Sequence, residues 1–130
     1  MKIALLFAAL CVVIFIAQRL LNGEIMSPAE AARRVAAGTA VLIDVREPSE
    51  WQSGVVKGAL LLPLSDLQGK RTQWTPSLKA NQDKELILYC RSGNRSGIAA
   101  RLLSTEGFTC SNAGGFSTWK SSGHPVVSPP

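Results

Sequence analysis

The residues that could do chemistry are gathered in Cys90-Arg91-Ser92-Gly93-Asn94-Arg95-Ser96, a polar loop between two apolar runs. The run before it, Glu85-Leu86-Ile87-Leu88-Tyr89, reads as a short buried strand. The run after it, Ile98-Ala99-Ala100-Arg101-Leu102-Leu103, reads as a helix with Ile98 and Leu102 one turn apart. The cysteine therefore stands where a strand ends and a helix is about to begin. The first amides of a helix have no intrahelical partner and carry the positive end of its dipole, so a loop wrapped there holds an anion. Arg91 and Arg95 add charge to the same small volume. These features lower a cysteine pKa from its free value of ~8.5 toward the range ~3.5 to 7.5, which leaves a nucleophilic thiolate at neutral pH. Such a thiolate can attack a phosphate ester, accept the outer sulfur of a sulfur donor as a persulfide, or exchange with disulfides. The third reaction normally uses a nearby resolving cysteine, as in C-x-x-C, and the loop has none. Phosphate and sulfur chemistry both stay open at this point.

The elements that must position this loop form an alternating series. Ser27-Pro28-Ala29-Glu30 combines an N-cap serine, a proline at the first helical position and a glutamate at the capping-box position, and predicts a helix to about Ala37 stopped by Gly38. Val41-Leu42-Ile43-Asp44-Val45 is apolar on both faces, as an interior strand of a parallel sheet is. A short helix from Glu47 to Trp51, a strand over Ala59 to Leu62, helical turns at Ser65-Asp66-Leu67 and near Leu78, a strand at Phe108-Thr109-Cys110 and a last helical turn over Phe116 to Ser121 complete the series. Strands alternating with helices predict an α/β domain with a mostly parallel sheet. Sites in such sheets lie at the carboxyl ends of the strands, which is where Cys90 falls.

At 130 residues the chain has room for one domain, residues 23–130, behind a separate segment, residues 1–22. Ile3 to Ala17 contains no polar or charged residue, and Leu20 and Leu21 extend the run beyond Gln18 and Arg19. The expectation is one hydrophobic N-terminal helix acting as a single-pass membrane anchor through residues 3–21, with the side of the membrane open; a cleaved export signal is the alternative. The anchor is preferred because no good cleavage site follows the run: bulky Phe15 or Leu21 occupies the outer specificity position. The formal charge of +5 comes partly from Lys2 and Arg19 in this segment. The remaining basic residues are scattered and not interleaved with aromatics, which argues against nucleic-acid binding. The three cysteines make neither a disulfide framework nor a metal site, and neither a metal nor an organic cofactor is expected.

Leu42-Ile43-Asp44-Val45-Arg46-Glu47, Gly58-Ala59 followed by Pro63-Leu64, the Cys90 to Ser96 loop, Gly114-Gly115-Phe116-Ser117-Thr118-Trp119, and the closing Gly123-His124-Pro125-Val126 come in an order that resembles the single-domain rhodaneses. The resemblance covers Ile25 to Val127 and implies a rhodanese-like α/β fold with a five-stranded, mainly parallel sheet flanked by helices. It also implies a sulfurtransferase cycle through a Cys90 persulfide, with thiosulfate or a persulfide, free or on a protein, as donor and a thiol or cyanide-like acceptor. The family's sulfurtransferases carry a six-residue loop where the related phosphatases carry one residue more, and Cys90 through Arg95 is the shorter form. The rivals are a persulfide carrier or partner-binding module with little small-molecule turnover and, behind it, a cysteine phosphatase or arsenate reductase.

Under the resemblance the amides of Arg91, Ser92, Gly93, Asn94, Arg95 and Ser96 cradle the persulfide. Gly93 lets the loop curl inward, Arg95 braces the loop or neutralises the anion, and outward-pointing Arg91 meets a sulfonate or an acidic partner. Asp44 and Arg46 correspond to the family's structural pair near the site. The chain departs from the pattern at Gly54-Val55-Val56-Lys57-Gly58, where the family often has His-Ile-Pro before the second glycine. Cys110 is expected to be a buried, inert thiol, Cys11 a packing residue of the N-terminal helix, and His124 a surface residue.

Overall fold

The computed structural model describes residues 1–22 and 24–130. The elements run α1 (Lys2–Asn22), α2 (Pro28–Ala36), β1 (Ala40–Asp44), α3 (Pro48–Trp51), β2 (Val55–Val56), β3 (Leu60–Leu61), α4 (Leu64–Leu67), α5 (Trp74–Ala80), β4 (Glu85–Cys90), α6 (Asn94–Thr105), β5 (Cys110–Gly115), α7 (Phe116–Ser121) and β6 (Val126–Val127). One sheet has the order β3-β1-β4-β5, with every neighbouring pair parallel. β2 and β6 form a separate antiparallel pair, which the sequence pattern did not announce.

Period-two alternation divides the core between the two faces of the sheet. On one face, Ile43 and Val45 from the β1 segment and Leu86, Leu88 and Cys90 from β4 pack with Leu67, Trp74, Ala99 and Leu103. On the other, Ala40, Leu42, Ile87 and Tyr89 pack with Ala31, Val56 and Trp119. That is why both strands read as apolar on both faces. It also places Cys90 on the face covered by α6.

The sheet described here has four strands, which corrects the five implied by the resemblance. Where a fifth would lie, the chain touches the β5 edge only through a parallel bridge from Ile25 to Asn112, with the Met26 N–H donating to the Asn112 carbonyl at 2.8 Å. Ser27 then caps α2, its hydroxyl accepting from the Glu30 N–H at 3.2 Å, and Pro28 opens the helix. The turn into α2 comes too soon for a strand to grow. The Glu30 carboxylate pairs with Arg33 and Arg34, and Arg34 crosses to Glu85 at 2.9 Å, tying α2 to the start of β4.

The N-terminal expectation is also corrected. Among the described residues no helix is long and apolar enough to cross a membrane. The uninterrupted apolar stretch of α1, Ile3 to Ala17, is fifteen residues. Its rise is about 22 Å against a hydrocarbon core of about 30 Å. The single-pass anchor, the membrane location and the membrane contact through residues 3–21 fall with that finding, and the signal reading has no support.

Candidate active site

Parallel pairing brings the carboxyl ends of β1, β4 and β5 to one edge of the sheet. Asp44 and Tyr89 are register neighbours there, and Cys90 lies opposite Gly115 after a register shift beyond Leu88. Gly115 permits this approach, because a Cβ on it would stand 2.6 Å from the Arg91 carbonyl oxygen. From Cys90 the chain turns through Arg91 and Ser92 to Gly93, whose φ of +93° is open to glycine and strained for other residues. α6 begins at the next residue.

This short turn aims the loop's donors at the sulfur. The Gly93 N–H donates to Cys90 Sγ at 3.0 Å, and Ser96 Oγ lies 3.4 Å from the same atom. Cys90 is almost fully buried, and burial on its own raises a thiol pKa. Hydrogen bonds from the Ser96 hydroxyl and from the amides of Ser96, Ser92 and Gly93 outweigh that effect and hold Cys90 below its ordinary value. Three amides of the loop, those of Ser92, Gly93 and Ser96, contribute to that effect. The depression therefore comes mainly from hydrogen bonding, where the sequence pattern gave the arginines a share.

Both arginines have other surroundings. Arg95 donates from both terminal nitrogens to Glu50 on α3, at 2.5 and 2.8 Å. This pairing, more than any other cause, holds the Glu50 carboxyl down at about 2, so the pair is ionised at neutral pH. Arg91 and Ser92 are exposed and, with Arg46, Glu50, Ser53, Phe116 and Ser117, line an open cavity of about 550 Å³ beside the loop. Asn94 is exposed at the first turn of α6. Asp44 and Arg46, the two residues expected near the site, are both buried and lie 2.7 Å apart at the neighbouring strand end.

Two residues here carried no role in the sequence reading. Glu50 is the partner of Arg95, and its only signal was an acid in the first turn of a short helix. Asn112, buried on β5, accepts from Ser96 Oγ at 2.7 Å and donates to the Gly93 carbonyl at 2.9 Å. Trp119 is buried and donates to the Ala113 carbonyl at 3.0 Å; it lines a separate apolar cavity against α2. His124 packs edge-on against Trp119.

Cys90 and Cys110 are both free thiols, and burial pushes Cys110 up to about 11. Alkylation by iodoacetamide at pH 7.5 is therefore expected to modify Cys90 at least tenfold faster than Cys110, because only the thiolate reacts. Peptide mapping of a time course measures the ratio, and equal rates would contradict the environments described.

Residues 27–122 match the rhodanese-like domain family. A sulfurtransferase of Allochromatium vinosum is 30% identical over 108 residues, covering 82% of this chain and 95% of its own. The thiosulfate sulfurtransferase PspE of Escherichia coli is 35% identical over 74 residues, 56% of this chain and 67% of its own. The crystal structure of a rhodanese-related protein from Thermoplasma volcanium matches with a TM-score of 0.67 at 28% identity, covering 82% of this chain and 99% of that one. With a family match over most of its length, and the strand-loop-helix that carries its cysteine loop in place, the chain belongs to the rhodanese-like domain family.

Proposed function

We propose that the chain is a sulfurtransferase whose working unit is residues 23–130 and whose nucleophile is Cys90. The Cys90 thiolate attacks the outer sulfur of thiosulfate or of a persulfide. A Cys90–sulfur bond forms as the donor's sulfur–sulfur bond breaks, and sulfite or a thiolate leaves with the electron pair. A thiol or cyanide-like acceptor then attacks the outer sulfur and returns the pair to Cys90. No net oxidant is consumed, and the nucleophile is regenerated as a thiolate.

The observation that carries this reading is the short loop closing on the sulfur, with the Gly93 N–H at 3.0 Å and Ser96 behind it. Fixed donors of this kind stabilise anionic sulfur without reorganising as the charge shifts. The pairing of both Arg95 terminal nitrogens with Glu50 argues against phosphoryl transfer, since that guanidinium is not turned toward an anion in the loop. Arg91, exposed at the cavity, is placed to meet the sulfonate of thiosulfate or an acidic group of a protein donor. The sulfurtransferase names of relatives at 30% and 35% identity support sulfur donors and acceptors in general.

The test is direct. After incubation with thiosulfate and removal of excess donor, mass spectrometry is expected to find one added sulfur, about 32 Da, on the Cys90 peptide, the mass of a persulfide. Cyanide should remove it and release thiocyanate. A protein that acquires no adduct and forms no thiocyanate would end the proposal.

A further inference from the structure

Asn112, on β5 and outside the lining of the Arg46–Glu50 cavity, meets the Cys90 loop at two points. Its Oδ1 accepts from Ser96 Oγ at 2.7 Å and from the Gly114 N–H at 3.0 Å. Its Nδ2 donates to the Gly93 carbonyl at 2.9 Å. These partners fix which way the amide points, because a backbone N–H must face oxygen and a carbonyl must face nitrogen. The residue is held in turn by β5, where its own carbonyl accepts from the Met26 N–H.

We propose that Asn112 is a positioning residue for sulfur transfer: it holds the Ser96 hydroxyl and the Gly93 carbonyl so that the loop keeps its donors on the Cys90 sulfur. The inference rests on the sulfur-transfer reading of Cys90. Ser96 has one hydroxyl proton and two acceptors within reach, Asn112 Oδ1 at 2.7 Å and Cys90 Sγ at 3.4 Å. While Cys90 is a thiol, Asn112 takes that proton and the serine lone pairs face the S–H. When the sulfur is anionic the hydroxyl proton is shared between Asn112 Oδ1 and the sulfur, since two oxygens 2.7 Å apart need a proton between them, and the Gly114 N–H keeps the amide oxygen in place. Without Asn112 it is free to bond carbonyls of the preceding turn, as serines near helix starts do, and the Gly93 carbonyl loses a second donor besides the Gly97 N–H.

The experiment compares wild type, Asn112→Ala and Asn112→Asp by the pH dependence of Cys90 alkylation, read on the Cys90 peptide, together with thiosulfate-to-cyanide turnover. Asn112→Ala is expected to move the alkylation midpoint up by about one pH unit, the equivalent of one hydrogen bond to a charged group, and to lower kcat/KM about tenfold. Asn112→Asp keeps the side-chain shape but places a carboxylate that retains the serine proton and repels the thiolate, so its midpoint should rise further. A residue that merely supports the fold would lower the melting temperature and leave the midpoint of the folded protein where it was. Midpoints within about 0.2 units of wild type in the folded variants would overturn the proposal. If Asn112→Ala does not fold, the near-isosteric Asn112→Asp decides alone. If wild type transfers no sulfur, the functional reading fails, while the alkylation profiles still decide what Asn112 does.

Discussion

Replacing Cys90 by serine is expected to reduce thiosulfate-to-cyanide transfer to the uncatalysed rate, a loss of at least about 10³-fold, while the protein stays folded. The size follows from the chemistry of the step. Serine has nearly the shape of cysteine, so the core beside Leu88 and Ala99 loses little. Its oxygen, however, is protonated throughout the working pH range and forms no stable bond to sulfane sulfur. The hydrogen bonds from Gly93 and Ser96 would close on a neutral hydroxyl and stabilise nothing that develops in the reaction. Donor affinity should persist, because Arg91 and the cavity wall are untouched. The measurement is a rate assay with a melting curve on each protein. Equal activity in Cys90→Ser and wild type would remove Cys90 from the mechanism; a wild type that carries the sulfur adduct but turns over slowly with cyanide would favour a persulfide carrier.

What the sequence made legible is local. The Ser27-Pro28 start of α2, the strand ending in Asp44 and the step from β4 through Cys90 into α6 each declare themselves through neighbouring residues; the first two lie near the expected bounds, while α6 begins at Asn94, four residues before the expected Ile98 and inside the stretch read as loop. What it hid depends on contacts between distant segments. Glu50 and Arg95 are 45 residues apart, and Asn112 and Ser96 are 16 apart. Neither pair leaves a periodic trace, and Asn112 lies beyond the Phe108 to Cys110 stretch that read as a strand, inside a β5 that runs on to Gly115. The two-residue strands β2 and β6 are too short for any alternation to show. The anchor expectation failed for a different reason: composition revealed an apolar run, but its uninterrupted length falls short of a bilayer.

The largest stability effect should come from the buried pair beside the site. Asp44 is fully buried and Arg46 is 3% exposed. Arg46 donates to Asp44 through Nε and Nη2, and its backbone N–H donates to the same carboxylate at 2.9 Å. Nη2 also donates to the Gly54 carbonyl at 2.8 Å and Nη1 to the Glu50 carbonyl at 3.3 Å, with the guanidinium over the face of Phe116. Asp44→Ala leaves this cation buried without its anion, which costs about 3–5 kcal/mol, a large part of the roughly 5–15 kcal/mol that holds a domain of this size. A fall in melting temperature of roughly 15 °C or more is expected. Arg46→Met should be comparably damaging by the opposite route, stranding a carboxylate beside a Tyr89 phenol whose pKa burial, and then Asp44 itself, already push upward. Asp44→Leu combined with Arg46→Met should recover only part of the loss, although replacing both partners of a buried pair is often nearly neutral. The difference lies in the two carbonyls: Arg46 ties down residues 47–54, which carry Glu50 to Arg95, and no aliphatic side chain can donate to them. The double variant should therefore regain melting temperature faster than activity. Full recovery of both would mean that Arg46 serves only to neutralise Asp44, and that the segment bearing Glu50 holds its place without it.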